Sequence, residues 1–441
     1  MKKIILFLLM AGGAFSHSFA SGYQVLLQSN RQLAMGNLGV ALRPSASSVF
    51  WNPAALGFMD RSAIEAGFNL IDAEHNYWAS DTRDVNGNPV LDPYTSKTSS
   101  PFGAPVHLYG VWAPEGSQFR FGIGFYTPFG SKVEWGDSWR HSDLLKELTL
   151  KAYYFQPTAA YRINDRLSVG AGLVVAFGSM NLQRTISRFG GKPDGGYYGY
   201  ELDGKSDLAY GYNVGVFFKA TEKLDVALNY RSKVELDVKN GDVSFDVPAS
   251  LSSLFAASEF DGGLPMPSSL SIGIAFHPNN RLTLSAEGVV VGWSAYEALT
   301  LTFDKPVGSV NDEEKKISSS PRNYENTVVL KAGGEYVLND WLQLRAGMYY
   351  DQTPVQDGYM TAETPGQDRL NYTCGIGFSP FENWQVDLSF LYVSGMEKKQ
   401  SLEQLPKSPE SEGGQPLVDT YPTGTFRSTG YVGGLTVSYK F

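Results

Sequence analysis

The sequence predicts an all-β fold: a fourteen-stranded antiparallel transmembrane β-barrel with an N-terminal plug inside the lumen. Three observations predict it. Polar and apolar residues alternate with a period of two over most of the chain, as in strands that have one polar and one apolar face. The connections between strands alternate strictly between short and long, as they do in barrels of the outer membrane. Composition agrees, with 26 Phe, 25 Tyr, 8 Trp and 47 Gly but only 18% charged residues among 441.

The elements follow in chain order. Residues 1–20 have the physics of a signal peptide: Lys2 and Lys3, then an apolar run over 4–14, then the small-x-small site Ser18-Phe19-Ala20. That run is too short for a spanning helix, which takes ~20 apolar residues. No other apolar run reaches that length, so the mature chain is expected to cross a membrane with strands. Acidic residues outnumber basic ones by 45 to 36, and no basic patch stands out, which argues against nucleic acid as a partner. The single cysteine, Cys374, excludes an internal disulfide framework.

Residues 21–61 are the next unit. They mix small and apolar residues with Pro53 and show no helix-length periodicity, so a compact irregular plug is expected. The barrel should occupy 62–441. Its strands are expected near 62–79, 104–114, 118–130, 147–163, 166–184, 206–219 and 223–239, and then near 266–277, 281–304, 322–338, 341–357, 368–379, 384–397 and 426–441. Short connections such as Asn164-Asp165, Thr221-Glu222 and Asn339-Asp340 carry turn-forming residues. Both chain ends then fall on the short-turn side. Trp384, Val386, Leu388 and Phe390 alternate with Gln385, Asp387 and Ser389, and Leu342, Leu344, Ala346 and Met348 with Gln343, Arg345, Gly347 and Tyr349. Polar residues inside and apolar ones outside invert the pattern of a soluble barrel. In lipid such a sheet has to close, because only closure satisfies its backbone.

Several motifs, in order across the mature chain, resemble the FadL family of outer-membrane transporters for long-chain fatty acids and other hydrophobic compounds. They are Gly22-Tyr23-Gln24, Asn52-Pro53-Ala54, Tyr230-Arg231-Ser232-Lys233-Val234, Trp293-Ser294, and Asp351-Gln352-Thr353-Pro354-Val355 followed by Asp368-Arg369. The resemblance implies a bacterial outer-membrane protein, a monomer, that passes a hydrophobic small molecule to outer-membrane lipid. Gly22, Tyr23, Gln24, Trp51, Asn52, Pro53 and Ala54 would form a hatch, with the Trp51-Asn52-Pro53 corner against the third strand. Exit would run sideways through a kink in that strand, at Gly122, Gly124, Phe125, Pro128, Phe129 and Gly130. Pro removes a ladder donor and Gly weakens pairing, so a break there is physically reasonable.

A fatty acid needs an apolar slot and a cation. Arg188 is the first candidate cation, and Leu251, Leu254, Phe255 and Phe260 place apolar residues on a loop expected to face water, a sign of an interaction site. Trp135, Trp139, Leu144 and Leu145 do the same in another loop. Arg231, Lys233, Glu235, Arg345 and Arg369 are expected on lumen faces, where mixed signs make a lattice tying barrel to hatch. No enzyme, cofactor or metal is expected: His75, His107, His141 and His277 show no catalytic or ligand spacing. The competing reading is a structural or secretion-associated outer-membrane barrel that shuttles or docks surface proteins. A scaffold of that kind has no need of the hatch signature.

Overall fold

Alternation along the chain is expressed as a closed wall. The computed structural model describes residues 22–79, 94–99, 103–137, 139–186, 192, 195–308, 316–407 and 420–441. The expected signal peptide and Arg188 lie outside the described residues. In order, the strands are β1 (Ala63–Trp78), β2 (Thr95–Lys97), β3 (Val106–Trp112), β4 (Phe119–Glu134), β5 (Glu147–Arg162), β6 (Leu167–Thr185) and β7 (Gly199–Lys205). There follow β8 (Ala209–Lys219), β9 (Leu224–Arg231), β10 (Val234–Asp246), β11 (Glu259–Met266), β12 (Ser269–Asn279), β13 (Leu282–Val291) and β14 (Ala298–Phe303). The last are β15 (Ile317–Pro321), β16 (Thr327–Asn339), β17 (Leu342–Asp351), β18 (Arg369–Phe378), β19 (Trp384–Gly395), β20 (Lys398–Gln400) and β21 (Gly424–Lys440). Several walls are interrupted, as in β9–β10 or β13–β14, so these strands build the fourteen antiparallel staves of one barrel. It closes where β1 pairs with β21 from Ala63↔Lys440 to Trp78↔Thr425.

The faces are inverted relative to a soluble barrel. Leu388 and Phe390 are each 45% exposed, whereas Asp387 and Ser389 on the same strand are 2% and 7% exposed. Trp112, Phe119, Trp341, Phe381, Trp384 and Phe441 are exposed at the short-turn rim. That girdle marks the level where lipid chains give way to headgroups.

The lumen is filled by residues 22–59, almost all buried. They form α1 (Asn30–Ala34), α2 (Ser48–Trp51) and a 3-10 turn over Pro53–Phe58. Helices this short are not stable alone, so packing holds them. Local chemistry still sets their ends. Gly36 (φ 83°) and Asn37 (φ 57°) take the left-handed conformation that stops α1. The Asn52 side chain accepts from the Ala54 amide at 3.0 Å while Pro53 starts the turn. On the wall, Gly347 admits α1: a Cβ there would lie 2.3 Å from the Met35 carbonyl carbon.

One expected face is wrong. The chain breaks at Ser232 and Lys233, between β9 and β10, and the period-2 phase slips there. Arg231 and then Val234 and Leu236 point inward, while Lys233 and Glu235 point out, exposed, and pair with each other at 2.6 Å. A shift of one residue moves every later side chain to the other face.

Candidate functional site

The ladder fails in β4. Pro128 has no N–H to donate, pairing with β5 shifts register between Tyr126 and Phe129, and pairing with β3 stops at His107↔Tyr126. Beyond that point the chain before β3 turns to β1 instead: Asn69 N donates to Pro105 O at 3.0 Å and Ile71 bridges Gly103. Burial stops alternating as well, and Tyr126 to Ser131 are all buried. The plug takes the place of the absent neighbour. Gln24 bridges Phe129, Val25 N donates to Pro128 O at 2.7 Å, Gly130 N donates to Tyr23 O at 2.9 Å, and Gln28 Nε2 donates to Thr127 O at 2.9 Å. Backbone groups in a lipid-facing wall need such partners. Lower on β4, the glycines admit α2: a Cβ on Gly122 would stand 2.6 Å from Val49 Cγ2, and one on Gly124 3.0 Å from Val49 and Tyr109. Phe125, half-buried, lies on the same strand.

At the head of the plug, Gly22 (φ 72°) lies where a Cβ would strike the Trp293 indole at 2.5 Å. The Tyr23 ring meets Trp293 edge-on with centroids 5.0 Å apart and Tyr296 at 5.8 Å, and its hydroxyl donates to Pro265 O. Beside it is a small hollow of about 30 Å³, lined mostly by apolar side chains such as Tyr23, Phe129, Leu150, Met180, Leu236 and Met266, with Lys151, Ser179 and Ser206 also in its lining. Below the plug the chemistry reverses. A cavity of about 800 Å³ at the short-turn end is lined by Arg31, Arg43, Asp60, Arg61, Glu335 and Lys440 among others.

Above Tyr23 the mouth is closed by the chain between β17 and β18. Met360, Thr361 and Ala362 are buried, and Trp135 Nε1 donates to Ala362 O at 3.1 Å. Glu363 sits 2.6 Å from Arg184 and 3.7 Å from Arg322, and Arg322 Nε donates to the Tyr296 hydroxyl at 3.4 Å. Burial pushes the Glu363 carboxyl up, but Arg322 and Arg184 outweigh it and hold the group below the usual carboxylate range. Two cations face one anion here, and Arg184 Nε has no partner among the described residues.

The loops expected to offer exposed apolar patches do not. Trp135, Trp139, Leu144 and Leu145 are buried, with Trp135 stacked on Trp139 at 4.4 Å, because their loop folds over the mouth. Leu251 and Leu254 are half-buried. Phe255 packs on Phe245 at 5.2 Å, and Phe260 turns into the lumen from β11, where Gly204 and Gly241 leave room for its ring.

Plug and wall are joined by buried polar latches. Glu65 accepts from Ser29 Oγ at 2.7 Å and Ser47 N at 3.3 Å. Glu287 accepts from the Gly39 and Val40 amides, both at 3.1 Å, and pairs with Lys331 at 2.8 Å, which also donates to Asn37 O at 2.9 Å. Arg345 bridges Glu335 and Asp387, each at 2.6 Å, while Arg31 of α1 reaches Glu335 at 3.2 Å. Arg369, 3% exposed, faces Asp351 across the β17–β18 ladder. Arg231 reaches α2. Glu65, Glu287 and Lys331 were missed in the sequence; the available signal was a lone charge at an inward position.

The Asn52-Pro53 corner is placed differently from expectation. Asn52 Nδ2 donates to Val40 O at 3.0 Å and to Val216 O of β8 at 3.3 Å, Pro53 lies on Gly170 of β6, and Ser168 Oγ of β6 donates to Ala54 O at 2.6 Å. Trp51 covers Gly39 within the plug. The third strand is met by Tyr23, Gln24 and Val49 instead. Asn52 is held by Ala54 N and Val40 O within the plug and by Val216 O of β8.

Comparison with known proteins places the chain among barrels of this kind. The model of a family described as outer membrane protein transport protein (OMPP1/FadL/TodX) matches residues 13–441. A putative outer membrane protein of Neisseria meningitidis serogroup B is 27% identical, covering 89% of this chain and 90% of that protein. The long-chain fatty acid transport protein of Escherichia coli strain K12 is 21% identical, covering 90% and 93%. A crystal structure of a Pseudomonas aeruginosa FadL homologue superposes with a TM-score of 0.77 at 20% identity, covering 96% of this chain and all of that one, which shows the shared fold.

Proposed function

The chain belongs to the outer membrane protein transport family (OMPP1/FadL/TodX), and on that premise we propose that it carries long-chain fatty acids passively across the outer membrane, releasing them sideways at the broken β4. One contrast carries this reading: the hollow beside Tyr23, about 30 Å³ with the plug closed, is lined mostly by apolar side chains and adjoins the break at Phe129, while the chamber of about 800 Å³ below the plug is lined with charge. An apolar solute loses its solvation gain on entering a charged, wet chamber. Through the side wall it meets lipid. Tyr23 to Val25 stand between hollow and break, so the segment that completes β4 is also the barrier.

The fatty acid's carboxylate has a partner in the Arg184–Arg322 pair, where guanidinium groups exceed carboxylates and fork-like donors suit an acid. Glu363 holds that place in the closed mouth. The test is uptake of labelled oleate by liposomes containing the full-length protein. Deleting residues 22–41, or sealing the wall with Pro128→Val and Gly124→Val, should each cut uptake, and Arg322→Met should lower oleate uptake while sparing toluene. Unchanged oleate uptake in the deletion and the sealed variant would sink the reading. A large protein partner copurifying with a lipid-free barrel would favour a docking scaffold.

A further inference from the structure

Several latches hold the plug, but Arg231 differs from the others in what it reaches. It ends β9, is 6% exposed, and enters the lumen opposite α2. Its Nη1 donates to the Tyr126 hydroxyl at 2.9 Å and to Gln156 Oε1 at 3.2 Å, and its Nη2 donates to Phe50 O at 2.8 Å. The guanidinium also lies over the Phe50 ring, 4.5 Å from its centroid. The circuit closes through its neighbours: Tyr126 donates to Gln156 Oε1, and Gln156 Nε2 donates to Val49 O at 2.6 Å. Tyr126 is the last residue of β4 in register before the break.

We propose that Arg231 is a positioning residue that couples the plug to the broken wall, so that α2 and the Pro128 kink release together. Its use in transport rests on the sideways exit above; the coupling itself does not. Among the described residues no carboxylate forms an ion pair with Arg231, so this buried cation is held by neutral acceptors on α2, β4 and β5. A buried charge that loses its acceptors must be rehydrated. If Phe50 moves, Nη2 and the cation–ring contact are lost, and water that replaces them enters between Tyr126 and Gln156, at the base of the kink. Opening at Tyr126 acts on Phe50 by the same route. A planar fork makes this three-way contact; an ammonium on a flexible stem does not. The Arg345 bridge touches the plug through Glu335 and Arg31 of α1, away from both α2 and β4, whereas Lys331 of the Glu287 latch lies 5.4 Å from the Trp51 ring of α2.

Hydrogen exchange on the full-length protein in lipid nanodiscs tests this. Arg231→Met should speed exchange of amides 50–52 and 129–131 together, each about tenfold, as expected for loss of hydrogen bonds from a charged group. Arg231→Lys, which keeps the charge without the fork, should fail to restore slow exchange. Arg345→Met, which loosens the latch on α1 and touches neither α2 nor β4, should speed residues 33–36 and leave 129–131 unchanged. Tyr126→Phe removes one acceptor and keeps the cation, so both segments should quicken by a smaller factor, which preserves the test if Arg231→Met does not fold. A rise in one segment alone, or an equal rise at 129–131 in Arg345→Met, overturns the coupling. Oleate uptake is measured on the same proteins in liposomes. Coupled exchange in a protein that takes up no oleate overturns the transport reading and leaves the coupling standing; full uptake by an uncoupled Arg231→Met removes the coupling from transport.

Discussion

The plug meets two kinds of wall. Across β17 to β19 the ladders run unbroken, from Leu342↔Phe378 to Asp351↔Arg369 and from Phe378↔Val386 to Arg369↔Gly395. The backbone there runs in continuous register within the wall, and the plug is gripped by side chains: Arg345, Glu335 and Asp387 from the barrel, Arg31 from α1. At β4 the ladder is broken, and the plug binds backbone to backbone through Tyr23 and Val25. Intact walls meet the plug through side chains and through single side-chain bonds to wall carbonyls, as at Val216 O, whereas the broken wall pairs with it main chain to main chain. The two sides thus divide the work between an anchor that tolerates no loss of charge and a seam whose hydrogen bonds exchange for others.

The largest effect should come from the anchor. Arg345→Met leaves the buried Asp387 without its cation and the half-buried Glu335 with Arg31 alone, a change that costs about 3–5 kcal/mol. Guanidinium unfolding in detergent micelles measures it. Oleate uptake per folded molecule should persist, since the seam is untouched. A loss under about 1 kcal/mol would make the two walls energetically alike and remove the distinction.

A smaller effect sharpens the seam. Gly124→Ala adds a Cβ that would sit 3.0 Å from Val49 and Tyr109, so plug or wall must yield. Overpacking of this kind costs about 1–3 kcal/mol. Gly433→Ala, on the regular β21, meets nothing within 4 Å and should leave stability unchanged to within about 0.5 kcal/mol. Equal effects at both positions would mean that β4 glycines are not shaped by contact with α2.

The sequence reveals the regular side more fully than the broken one, for a physical reason. Alternation reports which face a residue occupies as long as the ladder holds, and it places Arg345 and Asp387 inside. It also marks β4, because Gly and Pro announce a weak ladder. It fails at Lys233 and Glu235, where a break with no Gly or Pro inverts the phase. Loop residues carry no face signal, so Trp135 and Phe260 read as exposed although they fold inward. Family likeness alone sets the Asn52 corner against β4, and its contacts depend on Val40 O in the plug, Val216 O of β8 and Ser168 of β6, which no local pattern encodes. Contacts between plug and wall span hundreds of residues, as in Asn30 with Thr436, and leave no local trace.

Glu363 joins two further parts of the wall at the mouth, reaching Arg184 near the end of β6 and Arg322 just after β15. Its carboxyl, pushed up by burial but held lower still by the two guanidinium groups, titrates below the usual range. The sign follows from that shift. A depressed carboxyl adds stability at every pH above its ordinary value, ~4.3, and loses it as pH falls through the lower value of the folded state. The closed mouth should therefore be unchanged between pH 7 and 5 and loosen only under stronger acid. A nitroxide at Asp357→Cys, in a Cys374→Ser background, reads this as a gain in mobility; the ion pair it replaces is exposed and worth little. Glu363→Gln should be mobile at every pH, since Arg322 then has no anion. Mobility that rises already between pH 7 and 5, or that is unaltered by Glu363→Gln, would show that the aromatic packing of Trp135 and Tyr324 closes the mouth, and that Glu363 binds neither part of the wall to the other.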